Sequence, residues 1–317
     1  MTNNFCAKCL PVVAFMAFLS ACNSNHRTPS NSNSTTPVTS AQQQPTVVND
    51  TNVKGEAVIP STDTTAKAVD TATKNPTTVA DNTTNTVLDS SKKYVFLTFD
   101  DGPQPGTMNV YHNLKALGLK GTFFMVGLHA TYGKTMHDAV DTIRDAYPQI
   151  LLANHSYTHA RDHYEYFYHH VQDCFNDFMQ AQSSLNVQKK FIRLPGNSAW
   201  VLGTGMLAHP LVKPVCEKLD SAGFNVIGWD VEWSFKRDPG GHGSVPVQSA
   251  ETMVRMVENA LNNHHTHRRN AVVLLSHDRM FNRPNYSDSL YKFMNELKTR
   301  NPGYIFETVE NYPGARK

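Results

Sequence analysis

Short apolar runs recur along the chain from residue 94 onward, with longer mixed stretches between them. Six of these runs predict β-strands, at residues 94–99, 121–126, 149–153, 191–194, 224–229 and 271–276. Apolar residues at helical spacing lie between them, for example at 108–117 and 250–263. Strands that are apolar almost throughout and alternate with helices are typical of a parallel sheet covered on both faces. The pattern therefore predicts one α/β domain over residues 94–317.

The stretch before this domain has a different composition. Residues 23–93 are rich in Thr, Asn, Ser, Gln and Pro and contain no aromatic residue. Such a segment cannot bury enough apolar surface to compensate for the entropy of ordering it. Residues 22–93 are therefore predicted to form a disordered tether.

Residues 1–21 are predicted to be a lipoprotein signal peptide. Lys8 precedes an apolar run at 10–19, which is too short to cross a bilayer because a spanning helix needs ~20 apolar residues. The run ends in LSAC at residues 19–22, which resembles the bacterial lipobox, so Cys22 is expected to be lipidated after cleavage. An ordinary signal peptide with a chance cysteine is the alternative. We expect export and attachment to the envelope membrane through Cys22, and Asn23 favours the outer membrane if the source is Gram-negative.

Charge and the remaining cysteines restrict the function less. The formal net charge is +2 and charged residues make up 18% of the chain, so nucleic acid is not an expected partner. The one basic cluster, at 264–269, is interpreted as a solvated loop. Cys174 and Cys216 either form a disulfide or remain as two buried thiols, and the sequence leaves this open. We expect a monomer.

Polar residues that could bind a metal or act in catalysis directly follow the predicted strands. Asp100 and Asp101 follow the first, and His155 with His159 follows the third. Functional residues of parallel α/β folds gather at these carboxyl ends. Histidines four residues apart share one face of a helix and can bind one metal, and adjacent aspartates on an extended strand point to opposite sides. Two histidines with one carboxylate leave room for water and substrate and suit Zn²⁺, Co²⁺ or Fe²⁺.

Five short motifs resemble those of the NodB-type polysaccharide deacetylases, carbohydrate esterase family 4, in the family's order. They are TFDDGP at 98–103, HSYTH at 155–159, RLPG at 193–196, WDVEW at 229–233 and LLSHD at 274–278. The resemblance extends over about residues 94–306. It implies a distorted (β/α)₇ barrel, the NodB homology domain.

The resemblance also implies residue roles. Asp101, His155 and His159 would bind one divalent metal, usually zinc. Asp100 would be the general base that takes a proton from the attacking water, and His277 the general acid, with a pKa that a nearby carboxylate can raise.

Arg193 and an acidic residue of the fourth motif would orient the base and the acid. That acidic residue is either Asp230 or Glu232, and Asp230 is favoured. Strand alternation would place both on one side, opposite Trp229 and Trp233.

The substrate would bind near the third and fifth motifs. The implied contacts are Pro195, Gly196, Trp229, Trp233 and Leu275, with the Gly196 N–H facing the carbonyl oxygen. The family commonly has an aromatic residue after the proline of the third motif, whereas this chain has Gly196. A wider or reshaped cleft is therefore expected there. The aromatic run at 161–170 is interpreted as packing rather than as sugar contact.

Together these features predict a metal-dependent hydrolase that removes N-acetyl groups from an N-acetylhexosamine polymer. Peptidoglycan, poly-N-acetylglucosamine and chitin-like oligomers are all possible substrates. The alternatives are an O-acetyl esterase of the xylan type and a catalytically inactive sugar-binding lipoprotein. Intact acid, base and ligand residues argue against the inactive form.

Overall fold

The computed structural model describes residues 88–241 and 243–317. The predicted signal peptide, Cys22 and nearly all of the predicted tether lie outside the described residues. Among those that are described, no helix combines the length and the apolar character needed to cross a membrane.

All six predicted apolar runs contain a strand, and six further short strands occur. The twelve strands are β1 Lys93–Gly102, β2 Gly121–Met125, β3 Ile150–Asn154, β4 Phe191–Ile192, β5 Ala199–Leu202, β6 Gly205–Ala208, β7 Asn225–Val226, β8 Val231–Glu232, β9 Phe235–Arg237, β10 Ser244–Pro246, β11 Ala271–His277 and β12 Tyr304–Phe306. The six additional strands have two to four residues each. Strands this short have no clear period in sequence.

Seven α-helices lie in the described part of the chain. They are α1 Thr107–Leu117, α2 Lys134–Asp145, α3 Tyr164–His169, α4 Val171–Ser184, α5 Lys213–Ser221, α6 Ala250–Asn262 and α7 Pro284–Arg300. The two predicted helices correspond to α1 and α6. Helix α6 begins where Ser249 accepts a hydrogen bond from the Thr252 N–H, a standard N-cap.

The strands form one curved, mostly parallel sheet. Its order is β6-β5-β7-β4-β3-β2-β1-β11-β8, and β12 pairs with the beginning of β1. Only β5 pairs in antiparallel fashion, with β6 and β7, and β9–β10 form a separate hairpin. Within the described residues the sheet is a half-barrel with free edges at β6 and β8. The predicted distorted α/β barrel is confirmed in this open form.

Side-chain alternation along β1 separates two apolar layers. Val95, Leu97 and Phe99 pack in the cluster that includes residues of α1, α6 and α7. Tyr94 and Phe96 point to the concave side and pack in a second cluster. The concave positions continue toward the carboxyl end of β1, where polar residues replace the apolar ones and the site begins.

The two cysteines of the domain are free and buried in one apolar cluster. Burial raises the pKa of the Cys216 thiol to about 12 and also raises that of Cys174. Of the two alternatives that the sequence left open, the structure contains the pair of buried thiols.

Candidate metal centre and active site

The end of β1 is irregular at the two aspartates. The register between β1 and β2 shifts between Asp100 and Gly102, and Asp101 has a left-handed φ of 70°. One extra residue in a strand breaks the alternation of side chains. Asp100 and Asp101 therefore line the same cleft, and the expectation that they point to opposite sides was wrong.

The spacing of the two histidines predicted that they share a helix or helical turn, but the structure places them in a loop after β3. His155 directly follows β3, and Ser156 has a φ of 70°. His159 begins a short turn, His159–Asp162, in which all four residues have positive φ values between 46° and 59°. The loop nevertheless brings the two imidazole rings to a centroid distance of 5.2 Å. A folded loop replaces helical spacing as the reason for their proximity.

Asp101, His155 and His159 together have the arrangement of a cation site. Their ligand atoms all lie within 4.8 Å of one another. Asp101 Oδ1 is 3.4 Å from His155 Nε2 and 3.0 Å from His159 Nε2. This oxygen is buried and has no hydrogen-bond partner. A buried carboxylate oxygen without a donor is costly, and a cation at this point would satisfy it.

Outer contacts orient the two imidazoles. His155 Nδ1 donates to the Arg193 carbonyl oxygen at 2.9 Å, which leaves the lone pair of Nε2 facing Asp101. His159 Nδ1 lies 3.4 Å from the Asp162 carboxylate. Metal-binding histidines typically use their second nitrogen in this way. The residues present therefore fit a divalent metal.

Electrostatics also favour an ionised Asp101. Burial raises its pKa, but the imidazoles of His155 and His159 outweigh this and hold the pKa well below its usual range. Burial lowers the pKa of His159, and the Asp101 carboxylate outweighs that effect and raises it. His129 Nδ1 donates to the Asp101 carbonyl oxygen at 2.8 Å and so supports the bulge.

Asp100 is held by a buried guanidinium. Arg193 Nη1 donates to Asp100 Oδ1 at 2.9 Å and to Thr98 Oγ1 at 2.6 Å, and Nη2 donates to the Gly228 carbonyl at 2.8 Å. The other carboxylate oxygen, Asp100 Oδ2, is 3.7 Å from His155 Nε2. The geometry fixes one oxygen of Asp100 and turns the other toward the predicted metal.

The two acids of the fourth motif have different surroundings. Asp230 accepts backbone hydrogen bonds from His267 at 2.6 Å and Val273 at 2.7 Å, and it is close enough to Arg193 for the two charges to interact. Glu232 lines the cleft with Asp100 and His277. Burial, and then the charge of Asp100, raises the pKa of Glu232. Asp230 therefore lies behind the cleft near Arg193, whereas Glu232 is the acid that lines it.

Two residues predicted to contact the substrate, Trp233 and Pro195, are not among those that line the cleft. Trp233 is fully buried, packs edge-on against Phe281 and Phe293, and donates its indole N–H to the Gln248 carbonyl. Pro195 is buried, and its carbonyl accepts a hydrogen bond from Tyr168. Strand β8 is only two residues long, so alternation could not be extended from Trp229 to Trp233.

The cleft itself has a volume of about 370 Å³. Trp229, Leu275 and Gly196 line it, as the sequence predicted. Of the two expectations for the cleft beside Gly196, the structure agrees with a reshaped rather than a wider one, because the Tyr164 ring covers this space. A Cβ atom on Gly196 would lie 3.1 Å from three atoms of that ring. The aromatic wall comes from another part of the chain.

His277 lies at the carboxyl end of β11, in register with Asp100 on β1. Its Nδ1 is buried without a hydrogen-bond partner, and its ring packs edge-on against Phe235 at 4.8 Å. Burial lowers the pKa of His277, and the opposing effect of Asp101 and Asp100 is smaller. The carboxylates do raise the pKa, as expected, but desolvation outweighs them and the net shift is downward.

Five residues of the cleft were not assigned to the site from sequence. They are Asp162, Tyr164, Leu194, Phe235 and Arg279. Arg279 forms an ion pair with Asp101 through Oδ2, and its guanidinium lies 5.2 Å from the centroid of the Phe235 ring. Phe235 comes from the β9–β10 hairpin, and Tyr164 from the run interpreted as packing. Arg279 and Leu194 had a local signal, since they stand next to or within the fifth and third motifs.

Asp278 packs beneath the bulge. Its Oδ2 accepts a hydrogen bond from the Thr107 hydroxyl, and its Oδ1 has no partner. A Cβ atom on Gly102 would come within 2.5 Å of Oδ2, so glycine is required there. Burial, followed by the charges of Asp101 and Asp100, raises the pKa of Asp278 to about 8. Burial therefore favours the neutral form of this carboxyl.

Comparison with known proteins agrees with this architecture. Residues 88–199 match the model of a family described as polysaccharide deacetylase. The catalytic domain of a peptidoglycan N-acetylglucosamine deacetylase from Eubacterium rectale is 22% identical, with a TM-score of 0.51 over 74% of this chain and 97% of that one. A CE4 esterase from Streptococcus mutans is 21% identical, with a TM-score of 0.50 over 69% and 87%.

A polysaccharide deacetylase from Bacillus cereus is 23% identical, with a TM-score of 0.48 over 68% of this chain and 92% of that one. No curated protein sequence matches the chain. The fold is that of the CE4 deacetylases. The family match extends over residues 88–199, and the likeness to the solved structures is one of fold.

Exchanging the two acids of the fourth motif for amides should separate their roles. Glu232→Gln is expected to lower kcat at least ~tenfold with little change in stability, because a charged group of the cleft is lost. Asp230→Asn should instead lower the free energy of unfolding by ~1–3 kcal/mol, because an amide cannot accept both backbone hydrogen bonds. Steady-state kinetics and denaturant unfolding measure the two effects. The reverse outcome would assign the catalytic role to Asp230.

Asp278 should give the metal-free protein a pH-dependent stability. Above ~pH 4 the unfolded chain releases this proton, since an ordinary Asp has a pKa of ~3.9. The folded protein keeps it up to the raised pKa of about 8. Stability is therefore greatest below the unfolded pKa and falls between these values, by at most ~1.4 kcal/mol per pH unit from this group. Denaturant unfolding at a series of pH values measures this effect. The free energy of unfolding should fall less steeply with pH in Asp278→Asn than in the wild type, and equal slopes would refute the assignment.

Proposed function

We propose that the protein is a metal-dependent hydrolase that removes N-acetyl groups from an N-acetylhexosamine polymer. One observation carries the proposal. The unpartnered Oδ1 of Asp101 lies between the Nε2 atoms of His155 and His159, and the Arg193-held carboxylate of Asp100 lies beside them. Pure sugar binding needs neither this ligand set nor a fixed base.

Asp101, His155 and His159 would hold the metal. A bound divalent ion lowers the pKa of water and polarises the substrate carbonyl. Two imidazoles and a carboxylate suit Zn²⁺, and Co²⁺ and Fe²⁺ accept the same ligands. The three side chains would supply three ligands, and such a set leaves coordination positions for water and substrate.

Asp100 is the proposed general base. Arg193 occupies one of its oxygens, and the oxygen that faces His155 is left to accept a proton from the attacking water. The guanidinium also prevents the carboxylate from turning away. Such fixed orientation is a large part of general-base efficiency.

His277 is the proposed general acid for the departing amine. An amine leaves only when it is protonated, and the His277 ring stands at the carboxyl end of β11, beside Asp100 on the adjacent parallel strand β1. Because burial lowers the pKa of His277, its protonated form is a strong donor. The Phe235 ring packed against it limits its rotation.

The acetyl group is proposed to bind between Leu275 and Trp229. Both line the cleft, and their apolar surfaces suit a methyl group. The backbone N–H of Gly196 is proposed to face the carbonyl oxygen. A donor of this kind typically contributes ~3–4 kcal/mol to the stability of the transition state.

The size of the cleft and one structural neighbour indicate which polymers to assay as substrates. The cleft of about 370 Å³ can hold a sugar ring with its acetamido group. The Eubacterium rectale neighbour is described as a peptidoglycan N-acetylglucosamine deacetylase, so peptidoglycan is the first substrate to assay. Poly-N-acetylglucosamine and chitin oligomers complete the panel.

Acetate release from N-acetylglucosamine oligomers and peptidoglycan should depend on added Zn²⁺ or Co²⁺ and disappear with a chelator. Asp100→Asn should keep metal, measured by elemental analysis, but lose ~10²–10⁴-fold in kcat. His155→Ala should lose both the bound metal and the activity, because one metal ligand is missing. If the protein is instead a catalytically inactive sugar-binding lipoprotein, no acetate should be released with any added metal.

An esterase of the xylan type would release acetate from acetylated xylan but not from the N-acetylated oligomers. Near-normal turnover by Asp100→Asn would refute the base assignment. Asp141→Asn, a change on the exposed side of α2, is the matched control for an aspartate replacement. It is expected to leave both metal content and kcat unchanged.

We also propose that the domain is anchored to the bacterial envelope through lipidated Cys22. Support comes from the lipobox-like sequence at 19–22 and the polar stretch that follows it. Expression of the full chain in a bacterial host should give a membrane-bound, detergent-extractable protein. Cys22→Ser should release the protein from the membrane fraction or leave its signal uncleaved, and labelling with a radioactive fatty acid should be lost. Unchanged labelling of this variant would refute the anchor.

A further inference from the structure

Tyr164 lies at the centre of a set of contacts that the proposed mechanism does not use. The ring of Tyr164 covers Gly196, and its edge meets the His159 ring at a centroid distance of 5.8 Å and an angle of 85°. The hydroxyl donates to Asp162 Oδ1 at 3.0 Å. Both Asp162 and His159 line the same cleft as Tyr164.

Gly196 is matched to this ring. Its φ of 65° is a left-handed value that favours glycine. A Cβ atom there would also meet three ring atoms at 3.1 Å, which is closer than ordinary packing. The absence of a side chain at 196 and the presence of an aromatic ring at 164 therefore form one complementary surface.

Packing on Gly196 and against His159 holds the ring in place. The hydroxyl adds one hydrogen bond to Asp162, which is exposed. The ring is only half-buried, so part of its surface remains open to the cleft. Rigid aromatic rings with a polar tip provide contact area at a small entropic cost.

We propose that Tyr164, seated on Gly196, is a substrate-binding residue that forms the wall against which the sugar ring carrying the reacting acetamido group packs. The inference rests on the proposed function and extends it, because it assigns the sugar contact to a residue outside the five motifs. Tyr164 acts on the binding of the sugar. The metal ligands and Asp100 act on the acetamido group.

The test compares Tyr164→Ala with Tyr164→Phe. Loss of the ring should raise KM for N-acetylglucosamine oligomers about tenfold, an effect the size of one lost aromatic contact. Hydrolysis of a small aryl acetate, which has no sugar to pack, should change less than twofold. Tyr164→Phe keeps the wall and should keep KM for the oligomers within twofold. Tyr291→Ala, which removes an exposed tyrosine of α7, is the matched control.

A double-mutant cycle with Gly196→Ala tests the pairing of the two residues. The backbone strain of Gly196→Ala is present in either background, whereas the clash with the ring exists only when Tyr164 is present. The rise in KM caused by Gly196→Ala should therefore be severalfold smaller in the Tyr164→Ala background. Strictly multiplicative effects would show that the ring and the glycine act independently and would overturn the proposal.

Two further readouts separate binding from positioning. Metal affinity, measured by competition with a chromogenic chelator, should stay within about threefold in Tyr164→Ala. A large loss of metal affinity that accounts for the change in KM would assign Tyr164 to the support of His159 instead.

Oligomer binding to Asp100→Asn, followed by tryptophan fluorescence, needs no turnover. Equal binding with and without Tyr164, or no binding at all, overturns the proposal. Binding that depends on Tyr164 without acetate release from the wild type would sink the proposed function alone.

Discussion

The position of the Asp101 carboxylate is the constraint on which the rest of the site depends. It exists because β1 has one extra residue at its end, with Asp101 in a left-handed conformation. Such a backbone costs ~1–2 kcal/mol for a residue other than glycine. The flanking ladders with β2 and β11, the His129 hydrogen bond and the close packing of Gly102 on Asp278 hold it. The bulge is what allows two neighbouring aspartates to serve one cleft.

Charge balance is the second requirement. The cleft gathers the carboxylates of Asp100, Asp101 and Glu232, and buried charges are stable only when they are paired. Arg193 compensates Asp100 and also bonds to backbone carbonyls after β7, so it links the charge to the sheet. Arg279 pairs with Asp101 at the open side. A divalent cation would complete the balance among ligands that otherwise leave one oxygen without a partner.

The wall of the cleft shows how a departure from a motif is accommodated. Gly196 lacks the side chain expected at its position, and Tyr164 fills that space from 32 residues earlier in the chain. The segment that delivers Tyr164 is the left-handed turn that also positions His159 and Asp162. One loop therefore supports the predicted metal site on one side and shapes the sugar side of the cleft on the other. Neither property could be read from Gly196 alone.

The sequence by itself determined the α/β class, the six principal strands and the strand ends at which Asp100, His155, Arg193 and His277 stand. These follow from apolar periodicity and from the rule that polar residues collect at the carboxyl ends of parallel strands. Only the tertiary structure showed that Asp230 accepts two backbone hydrogen bonds while Glu232 lines the cleft, because β8 has two residues and its neighbours set where each carboxylate points. The bulge, the loop joining the two histidines and the Tyr164 wall likewise arise from long-range packing. Such contacts leave no local periodicity in the chain, since the residues that create them are far apart in sequence.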